Sequence, residues 1–312
     1  GEYRPKIEAW MADSANAELA NRIRFYYNEV TEEVRKRCWN QGDWRFYFSY
    51  WRWQRKTADI ARDIIRKQHS KGLDIDILHQ LNMIGFREPG CLAAVSKEYD
   101  IPLVWGPVDA KEGLNDNYIN AMPQKHKLFF RLKKAITKFQ LTYGRRVGEM
   151  AHSSAVVIGA SSESVVSFKK YQGVDAVLLN ETGCHIEESN EVDWSVKPDN
   201  DGKFNILWVG KFDIRKQLYI AIHTLYNLRN KFTDAEFANI RLHIVGDGDQ
   251  MKYRLLAQKL GVQDSIKWYG KVCHDDVQYL MRTHSILLFT SIAEGTPHVV
   301  LEAISNRLPV VC

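Results

Sequence analysis

Apolar and polar positions along the chain follow two periods, which predict strands and helices in turn. Short apolar runs typical of buried strands occur at residues 75–79, 101–105, 155–158 and 176–179, and helix-forming segments separate them. Strand, helix and strand in this order form the unit of a parallel sheet. Residues 1–186 are therefore predicted to be an α/β domain.

The first 72 residues are predicted to lead into that sheet. A helical pattern at 5–20 precedes an alternating, β-prone run at 22–27. Aromatic and basic residues interleave between Trp39 and Trp53, and this pattern continues into a helix that Gly72 ends. We therefore expect helix, strand and helix before the first buried strand.

Residues 187–203 are rich in Glu, Asp, Asn, Ser and Gly and have no periodicity, so they are predicted to link two domains. The α/β pattern then restarts in a second domain at 204–312. Its predicted strands lie at 204–209, 241–245, 266–268 and 286–290, its helices at 216–230, 250–260 and 275–282, and a last strand begins at 308. A sheet that stopped there would leave an exposed edge, so we expect the natural protein to continue.

Length and composition agree with two α/β domains. The 312 residues are 45% apolar and 26% charged, which suffices for two hydrophobic cores and is unlike a disordered or fibrous chain. No run approaches the roughly 18 apolar residues of a membrane-spanning helix, and the first residues lack a signal-peptide core. Five scattered cysteines indicate neither a disulfide framework nor a zinc site, and a net charge of +5 is too small to indicate a nucleic-acid partner. We expect a cytoplasmic protein.

The segment from Ser291 to Val311 carries the strongest chemical signal. Glu294 follows a predicted strand, and Pro297 suits the first turn of a helix that carries Glu302. Free N–H groups around residues 296–298, helped by the helix dipole, would bind a phosphate. Glu302 would accept hydrogen bonds from a ribose diol, and Glu294 would face the group on the far phosphate. The alternative is a solvated loop residue at Glu294 and an ordinary helix charge at Glu302.

Three glycine turns follow the other predicted strands of the second domain. The first spans 208–217, where Lys211 and Lys216 would lie at the carboxyl edge of the sheet and could neutralise a diphosphate. Surface lysines without a ligand are the alternative. The second turn, 244–249, lacks the full dinucleotide fingerprint and so does not indicate NAD. The third, 269–272, could pass its backbone along a flat ring or be an ordinary loop.

Together these four elements resemble the retaining glycosyltransferases of family 4. That family carries a GR-x4-KG phosphate element, a VG-x-G turn, a G-x-V turn that contacts the base, and an E-x7-E motif before a PVV strand. Here they correspond, in the same order and spacing, to Gly210 through Gln217, 245–248, 270–272, 294–302 and 309–311. Lys211 replaces the usual arginine, and Gln217 the usual glycine. A lysine keeps the charge but loses the bidentate fork of arginine, so a weaker grip on phosphate is expected.

The resemblance implies two Rossmann-like domains that face each other across a cleft, the GT-B fold. Residues 1–186 would be the acceptor-side domain without its first strands, and 204–312 the nucleotide-sugar domain without its C-terminal part, so that the chain is truncated at both ends. The stretch 180–183 resembles the segment that closes the family's first domain over the cleft. The histidine that faces the donor sugar in many members is replaced at 105–107 by Trp-Gly-Pro; His79 is the nearest candidate, with a structural role favoured.

The resemblance also assigns roles to individual residues. Sugar would pass from a UDP- or GDP-type nucleoside diphosphate to an acceptor hydroxyl with retention, without a metal and with no cofactor other than this co-substrate. Lys211, Lys216 and the 296–298 amides would stabilise the leaving diphosphate, and Glu294 would orient the donor sugar. Glu302 would hold the ribose. The other predicted donor-binding residues are Gly210, Gly246, Val272, Gly295, Thr296, Pro297 and His298.

Residues 125–146 form a basic segment with a further predicted role. They contain eight lysines and arginines and no acid, and Leu128, Leu132, Ile136 and Phe139 share one helical stripe. Such a helix can lie on an anionic membrane and bring an enzyme to a lipid-linked acceptor. The alternative is an ordinary helix packed on the sheet with a solvated basic side.

The resemblance, together with the basic segment, implies a hexosyltransferase for bacterial surface polysaccharide or glycolipid, cytoplasmic or at the inner face of the membrane, with a nucleotide-sugar donor and a glycan or lipid-linked acceptor. A nucleotide-sugar epimerase or a phosphorylase on the same fold is one alternative. A non-catalytic nucleotide-sugar-binding subunit is another. Product identity separates the first alternative from a transferase, and turnover separates the second.

Overall fold

The computed structural model describes residues 3–38, 45–81, 83–122, 124–184 and 202–312, which form two compact α/β units. The first unit comprises Gly1–Glu112 and Lys133–Leu179, and the second comprises Gly113–Leu132 and Asn180–Cys312. Of the predicted linker, residues 187–201 lie outside the described residues. No helix in the described ranges is both long enough and apolar enough to cross a bilayer.

The first unit contains a four-stranded parallel sheet in the order β1-β2-β3-β4. Its strands are β1 (Leu78–Gln80), β2 (Leu103–Val108), β3 (Val156–Gly159) and β4 (Ala176–Leu178). The chain up to residue 184 also forms helices α1 (Arg4–Ala12), α2 (Ala17–Ala20), α3 (Glu32–Cys38), α4 (Arg45–His69), α5 (Leu92–Tyr99), α6 (Asp116–Ala121), α7 (Gln124–Tyr143), α8 (Arg145–Ser153) and α9 (Ser162–Gln172). Trp105, Leu103 and Phe168 lie at the centre of its apolar core, each fully buried.

The second unit contains a five-stranded parallel sheet in the order β7-β6-β5-β8-β9. Its strands are β5 (Phe204–Val209), β6 (Ile240–Val245), β7 (Ile266–Gly270), β8 (Ile286–Leu288) and β9 (Val310–Val311). Helices α10 (Leu218–Lys231), α11 (Asp234–Phe237), α12 (Met251–Lys259), α13 (His274–Thr283) and α14 (His298–Ser305) connect or follow them. Most of β5 and β6 is buried, as expected for strands covered on both faces. The prediction of an α/β fold with two parallel sheets is confirmed.

The predicted strand at 22–27 is wrong. Residues 23–31 have no regular secondary structure, and Phe25 and Tyr26 are exposed. The segment is held against α4 instead, where the Asn28 side-chain amide donates to Trp53 O at 3.1 Å and the Trp53 indole N–H donates to Asn28 O at 3.0 Å. An alternating pattern becomes a strand only when a neighbouring strand accepts its backbone hydrogen bonds, and no strand in the described part of the chain does so. Of the aromatic stretch 39–53, residues 39–44 lie outside the described residues and the rest begins α4.

An ion-pair cluster around Glu112 joins segments of the first unit that are far apart in sequence. Lys170 Nζ and the Tyr171 hydroxyl donate to Glu112 at 2.6 and 2.7 Å, and Lys138 Nζ lies 3.2 Å from its second oxygen. Burial alone raises the pKa of Glu112, but the hydrogen bonds outweigh burial and lower the pKa to about 2. Glu112 therefore stays ionised in the folded protein well below the usual pKa of a glutamate.

Candidate functional site

The four predicted site elements all follow adjacent strands of the second sheet, at its carboxyl edge. Backbone hydrogen bonds connect three pairs of these loops: Gly210 N to Val245 O at 3.0 Å, Gly246 N to Gly270 O at 2.8 Å, and Ile292 N to Arg215 O at 2.9 Å. The carboxyl edge is where parallel α/β sheets bind ligands. The strand order thus brings together loops that are far apart in sequence.

Gly246 is required by the close approach of two of these loops. Its φ is +155°, and a Cβ added to it would overlap the carbonyl oxygen of Gly210. Gly248, with φ +138°, faces the same restriction, because a Cβ there would lie 2.8 Å from Phe212 Cβ. These two glycines let the second turn pack directly on the first, which fixes the loop that carries the lysines.

Lys216 and Glu294, both predicted to be catalytic, form an ion pair. Lys216 Nζ lies 2.5 Å from Glu294 Oε1, and the two side chains are 21% and 22% exposed. They come from the loops after β5 and β8, which are neighbouring strands in the sheet. A cation and an anion that solvent still reaches are therefore held side by side at the sheet edge.

The backbone of the lysine loop is fixed by its own polar groups. Asp213 Oδ1 accepts from the backbone N–H groups of Arg215 and Lys216 at 2.8 and 3.2 Å. Burial raises the pKa of Asp213, but hydrogen bonds from the Arg215 side chain and from both amides outweigh burial and lower it. Thr290 Oγ1 donates to Lys216 O at 2.7 Å, which connects the end of the loop to the segment after β8.

Gln217, which differs from the family pattern, adopts the conformation that favours glycine. Its φ is +53° and its ψ is 43°, in the left-handed region. The side chain is buried, and its amide donates back to Ile214 O. A hydrogen bond that only a side chain can make thus offsets part of the cost that a left-handed backbone imposes on a residue other than glycine.

Lys211 lies apart from the Lys216–Glu294 pair. Its side chain is exposed, and it forms no ion pair with any residue that the structure describes. Its charge is therefore available to a ligand, whereas Lys216 must first leave or share Glu294.

The start of α14 supplies the predicted anion-binding amides. Pro297 is the residue that precedes the helix, so His298 and Val299 open it with N–H groups that have no partner within the helix. Thr296 is buried, and its hydroxyl has no hydrogen-bond partner among the described residues. The His298 side chain is 61% exposed and lies 4.0 Å from Glu181, in the stretch that resembles the family's closing segment. Gly295 lies between Glu294 and this turn.

Glu302 has a partner that the sequence pattern did not identify. His274 Nε2 lies 3.1 Å from Glu302 Oε1, and the Gln278 amide lies 3.3 Å from the same ring nitrogen. His274 opens α13 directly after the turn at 270–272, so it connects the predicted base contact with the predicted ribose contact. A histidine at that place was the available signal, but a lone histidine at a helix start has no distinguishing pattern.

Two other predicted residues have structural contacts. The Val272 side chain packs against the apolar cluster that contains Leu207 and Met281, so a ligand would meet its backbone. In the first unit, His79 Nε2 lies 2.8 Å from Gly106 O, a contact to the backbone of the next strand. This contact agrees with the structural role that the sequence favours for His79.

Comparisons with known proteins find glycosyltransferases that are similar to parts of this chain. A family model described as "Glycosyl transferases group 1" matches residues 165–312. The lipopolysaccharide 1,6-galactosyltransferase of Salmonella typhimurium is 31% identical over 117 residues, which are 36% of this chain and 30% of that protein. The enzyme of the same name from Escherichia coli is 39% identical over 74 residues, 23% of this chain and 21% of that protein. The chain thus spans less than a third of the length of the curated relatives it matches.

A solved structure extends the likeness of fold to nearly the whole chain. HepE of Anabaena, solved in complex with UDP and glucose, aligns with a TM-score of 0.52 at 15% identity and covers 96% of this chain and 70% of that chain. At this identity the likeness concerns the fold alone. Residues 165–312, which carry all the predicted donor-site residues, match the group 1 glycosyl transferases.

Proposed function

We propose that this chain belongs to a retaining glycosyltransferase that moves a hexose from a nucleoside diphosphate to an acceptor hydroxyl in bacterial surface glycan synthesis. The observation that carries the proposal is the pairing of Lys216 with Glu294 at the carboxyl edge of the second sheet, inside the region that matches the family model. The Lys216 ammonium, which can donate hydrogen bonds to a phosphate, and the Glu294 carboxylate, which can accept them from sugar hydroxyls, lie side by side there.

The proposed mechanism uses charges of the second unit. Lys211, Lys216 and the amides at the start of α14 would stabilise the negative charge that develops on the leaving diphosphate. Glu294 would bind hydroxyls of the donor sugar, and Glu302 the ribose. Because protein cations and helix amides can meet this charge, we expect no metal or cofactor beyond the nucleotide sugar; unchanged transfer in the presence of EDTA is the check.

Donor binding would rearrange the Lys216–Glu294 pair. In the free protein each charge neutralises the other at 2.5 Å. A diphosphate at the start of α14 offers Lys216 a second anion, and a sugar hydroxyl offers Glu294 a donor. The pair would thus open or become shared when the nucleotide sugar enters, which keeps both side chains ordered before catalysis.

The relatives suggest which donor to test first. Two are galactosyltransferases by name, and HepE was solved with UDP and glucose, so we propose a UDP-hexose. Calorimetry with UDP, GDP, UDP-galactose and UDP-glucose tests the base, with expected binding of the UDP compounds. A radiolabelled transfer assay with lipopolysaccharide core acceptors then tests turnover. Isomerised donor as the product indicates an epimerase, and donor binding without turnover by the natural full-length protein indicates a non-catalytic subunit.

A second proposal, peripheral membrane contact, rests on the exposed face of α7. Leu128, Leu132, Ile136 and Phe139 are 47–74% exposed. The helix packs instead through its opposite side, where Thr137 and Leu141 are buried. The exposed apolar stripe supports a surface role for the helix, whereas an ordinary packed helix with a solvated basic side is the alternative.

Basic side chains lie beside this stripe, which gives the helix the charge pattern of an interfacial helix. Lys127 and Arg131 flank it on one side, between the exposed stripe and the packed face, and Lys138, which already pairs with Glu112, lies on the same side. An anionic leaflet attracts such cations by about 1 kcal/mol each, and apolar burial adds to this attraction. We propose that α7 holds the protein on the inner face of the bacterial membrane, near a lipid-linked acceptor.

Vesicle cosedimentation tests this proposal. The protein is expected to bind vesicles that contain phosphatidylglycerol and not vesicles of phosphatidylcholine, and Leu132→Ser should weaken binding about tenfold or more because one leucine no longer enters the interface. Leu255→Ser on α12, where Leu255 is 57% exposed, is the matched control. Equal binding by the two variants would refute a role for α7.

A further inference from the structure

A cavity of about 500 Å³ lies in the first unit, outside the residues assigned to the donor. Three helices surround it: α4 contributes Trp51 and Arg55, the first turn of α5 contributes Ala94, and α8 contributes Arg146. Its volume falls within the range of small-molecule binding sites and far exceeds that of a single ion. None of the contacts of the donor site involves these residues.

The cavity borders the loop that follows β1, at the carboxyl edge of the first sheet. This loop includes Gly90, whose φ is +91°. Any other residue at this position would be strained, because its Cβ would overlap the buried Gln80 amide. Arg87 fixes the same loop by donating to Gln140 and Thr137, both at 2.7 Å. The wall of the cavity is therefore built by specific contacts, at the edge where parallel sheets bind ligands.

Two arginines of the cavity wall, Arg55 and Arg146, both place their guanidinium groups near the Trp51 ring. The Arg55 guanidinium carbon lies 5.3 Å from the centre of that ring, and the Arg146 guanidinium carbon lies 5.9 Å from it. Cation–π contacts of this kind restrict the side chains of both arginines. Arginines held in place lose less conformational entropy when they bind an anion than mobile ones do.

Both arginines have guanidinium N–H groups that are not hydrogen-bonded to a carboxylate of the described residues. Arg55 has no carboxylate partner among the described residues. Arg146 Nη1 donates to the buried Glu88 at 2.9 Å, but its Nη2 is buried with no hydrogen-bond partner in the described ranges. By contrast, the other two arginines that line the cavity, Arg62 and Arg145, each pair with carboxylates.

We propose that this cavity binds an anionic sugar, one whose phosphate or carboxylate group lies between Arg55 and Arg146. The anionic group follows from the unused donors. The remaining volume accommodates a sugar ring, and its lining combines small residues with Asp59 and Glu149, whose charges Arg62 and Arg145 neutralise. That the ligand is a sugar rests on the proposed function, in which this site would hold a charged residue of the glycan acceptor. Binding of the anion itself requires neither the donor nor turnover.

Titration calorimetry without nucleotide tests the proposal. Glucose 6-phosphate and glucuronate are the two anionic probes, and glucose and inorganic phosphate are the comparisons. We expect millimolar binding of at least one anionic sugar, with neither comparison as tight. If only glucose 6-phosphate binds, the site prefers a sugar phosphate; if only glucuronate binds, it prefers a sugar carboxylate. Failure of both anionic sugars to bind, or equal binding of glucose or inorganic phosphate, would overturn the proposal.

Three variants separate a specific site from general surface charge. Arg55→Ala should weaken the anionic sugar about tenfold, since one charge-assisted hydrogen bond is lost. Ala94→Leu, on an exposed helix position at the cavity wall, should weaken it by filling the space without any change of charge. Arg66→Ala removes an exposed arginine of the same helix that does not line the cavity and should have no effect. An equal loss in Arg66→Ala would contradict the assignment, as would no loss in the other two.

A cysteine in the cavity wall locates the ligand directly. Cys91 is partly buried there, and burial raises the pKa of its thiol, so alkylation should be measured at alkaline pH. A bound anionic sugar is expected to slow alkylation of Cys91 and not of the exposed Cys273, as read from peptide masses. Equal protection at both cysteines, or at neither, would contradict binding in this cavity.

The result can be distinguished from the donor-site proposal. Arg55→Ala and Ala94→Leu are expected to leave UDP binding unchanged, because the donor site belongs to the second unit. Anionic-sugar binding without UDP binding would retain this site while refuting the proposed transfer. UDP binding without anionic-sugar binding would refute this cavity site and leave the proposed donor site in place.

Discussion

Replacement of Lys216 by methionine should separate its role in ligand binding from its role in folding. The methylene stem of Lys216 runs beside Gly210. A Cβ built on Gly210 would lie 3.5 Å from Lys216 Cγ and Cδ. Methionine keeps that apolar contact and removes only the charge. The variant therefore tests the ammonium group rather than the shape of the loop.

The size of the effect follows from the geometry of the ion pair. The pair is short at 2.5 Å, but both side chains are about one-fifth exposed, and pairs that solvent reaches contribute about 1 kcal/mol or less to stability. A charge-assisted hydrogen bond to a phosphate contributes about 1.5 to 3 kcal/mol. UDP affinity should thus fall about 10- to 150-fold, while the free energy of unfolding falls by about 1 kcal/mol at most.

Calorimetry with UDP and urea unfolding measure the two quantities on the same preparations. Lys231→Met, at an exposed position of α10, is the control for loss of one positive charge. Glu294→Gln provides the complementary test: UDP affinity should not fall, because the carboxylate that competes for Lys216 is gone, while sugar transfer should fall. If Lys216→Met binds UDP as tightly as the control does, Lys216 is not a phosphate ligand and the site assignment is refuted.

Three further perturbations test other parts of the structure. Gly246→Ala should destabilise the protein by about 2 kcal/mol or more in urea unfolding, because its Cβ would overlap a backbone oxygen, whereas Gly183→Ala, which has open space, should have little effect. His274→Ala should weaken UDP several-fold but leave 2′,3′-dideoxy-UDP unchanged if His274 positions Glu302 for the ribose; an equal loss with both nucleotides would show that it does not. Glu112 has a folded-state pKa of about 2, below its unfolded value of about 4.3, so its stabilisation is present above the unfolded value and is lost as pH falls toward 2. Glu112→Gln should remove about 1 kcal/mol of the pH dependence of unfolding between pH 5 and 2, and an unchanged profile would contradict the ion-pair network.

Much of the second sheet could be predicted because buried parallel strands have a simple pattern. The run predicted at 204–209 coincides with β5, since both faces of that strand are covered and almost every position is apolar. The strands at 241–245 and 266–268 were predicted to within two residues at either end. The glycine turns were visible for a related reason: only glycine fits where Gly246 approaches Gly210.

Periodicity was misleading where the structure of a segment depends on which other element packs against it. The alternation at 22–27 predicted a strand, but no strand among the residues that the structure describes accepts its hydrogen bonds, and the segment lies on α4 instead. The stripe on α7 also left two outcomes open, a packed face or an exposed one. The structure exposes it, because the opposite side of the helix carries the contacts with the first unit.

The sequence by itself determined the alternation of helices and strands, the positions of the glycine turns and the residue types at the proposed donor site. Only the tertiary structure decided that Lys216 pairs with Glu294 across 78 residues, that His274 contacts Glu302 across 28, and that Arg55 and Arg146 both lie near Trp51 beside a cavity. Periodicity reports which face of an element is buried, a property of neighbouring residues along the chain. Which elements become neighbours depends on strand order and on helix packing, and these are fixed by the combined burial of the whole domain rather than by any local pattern.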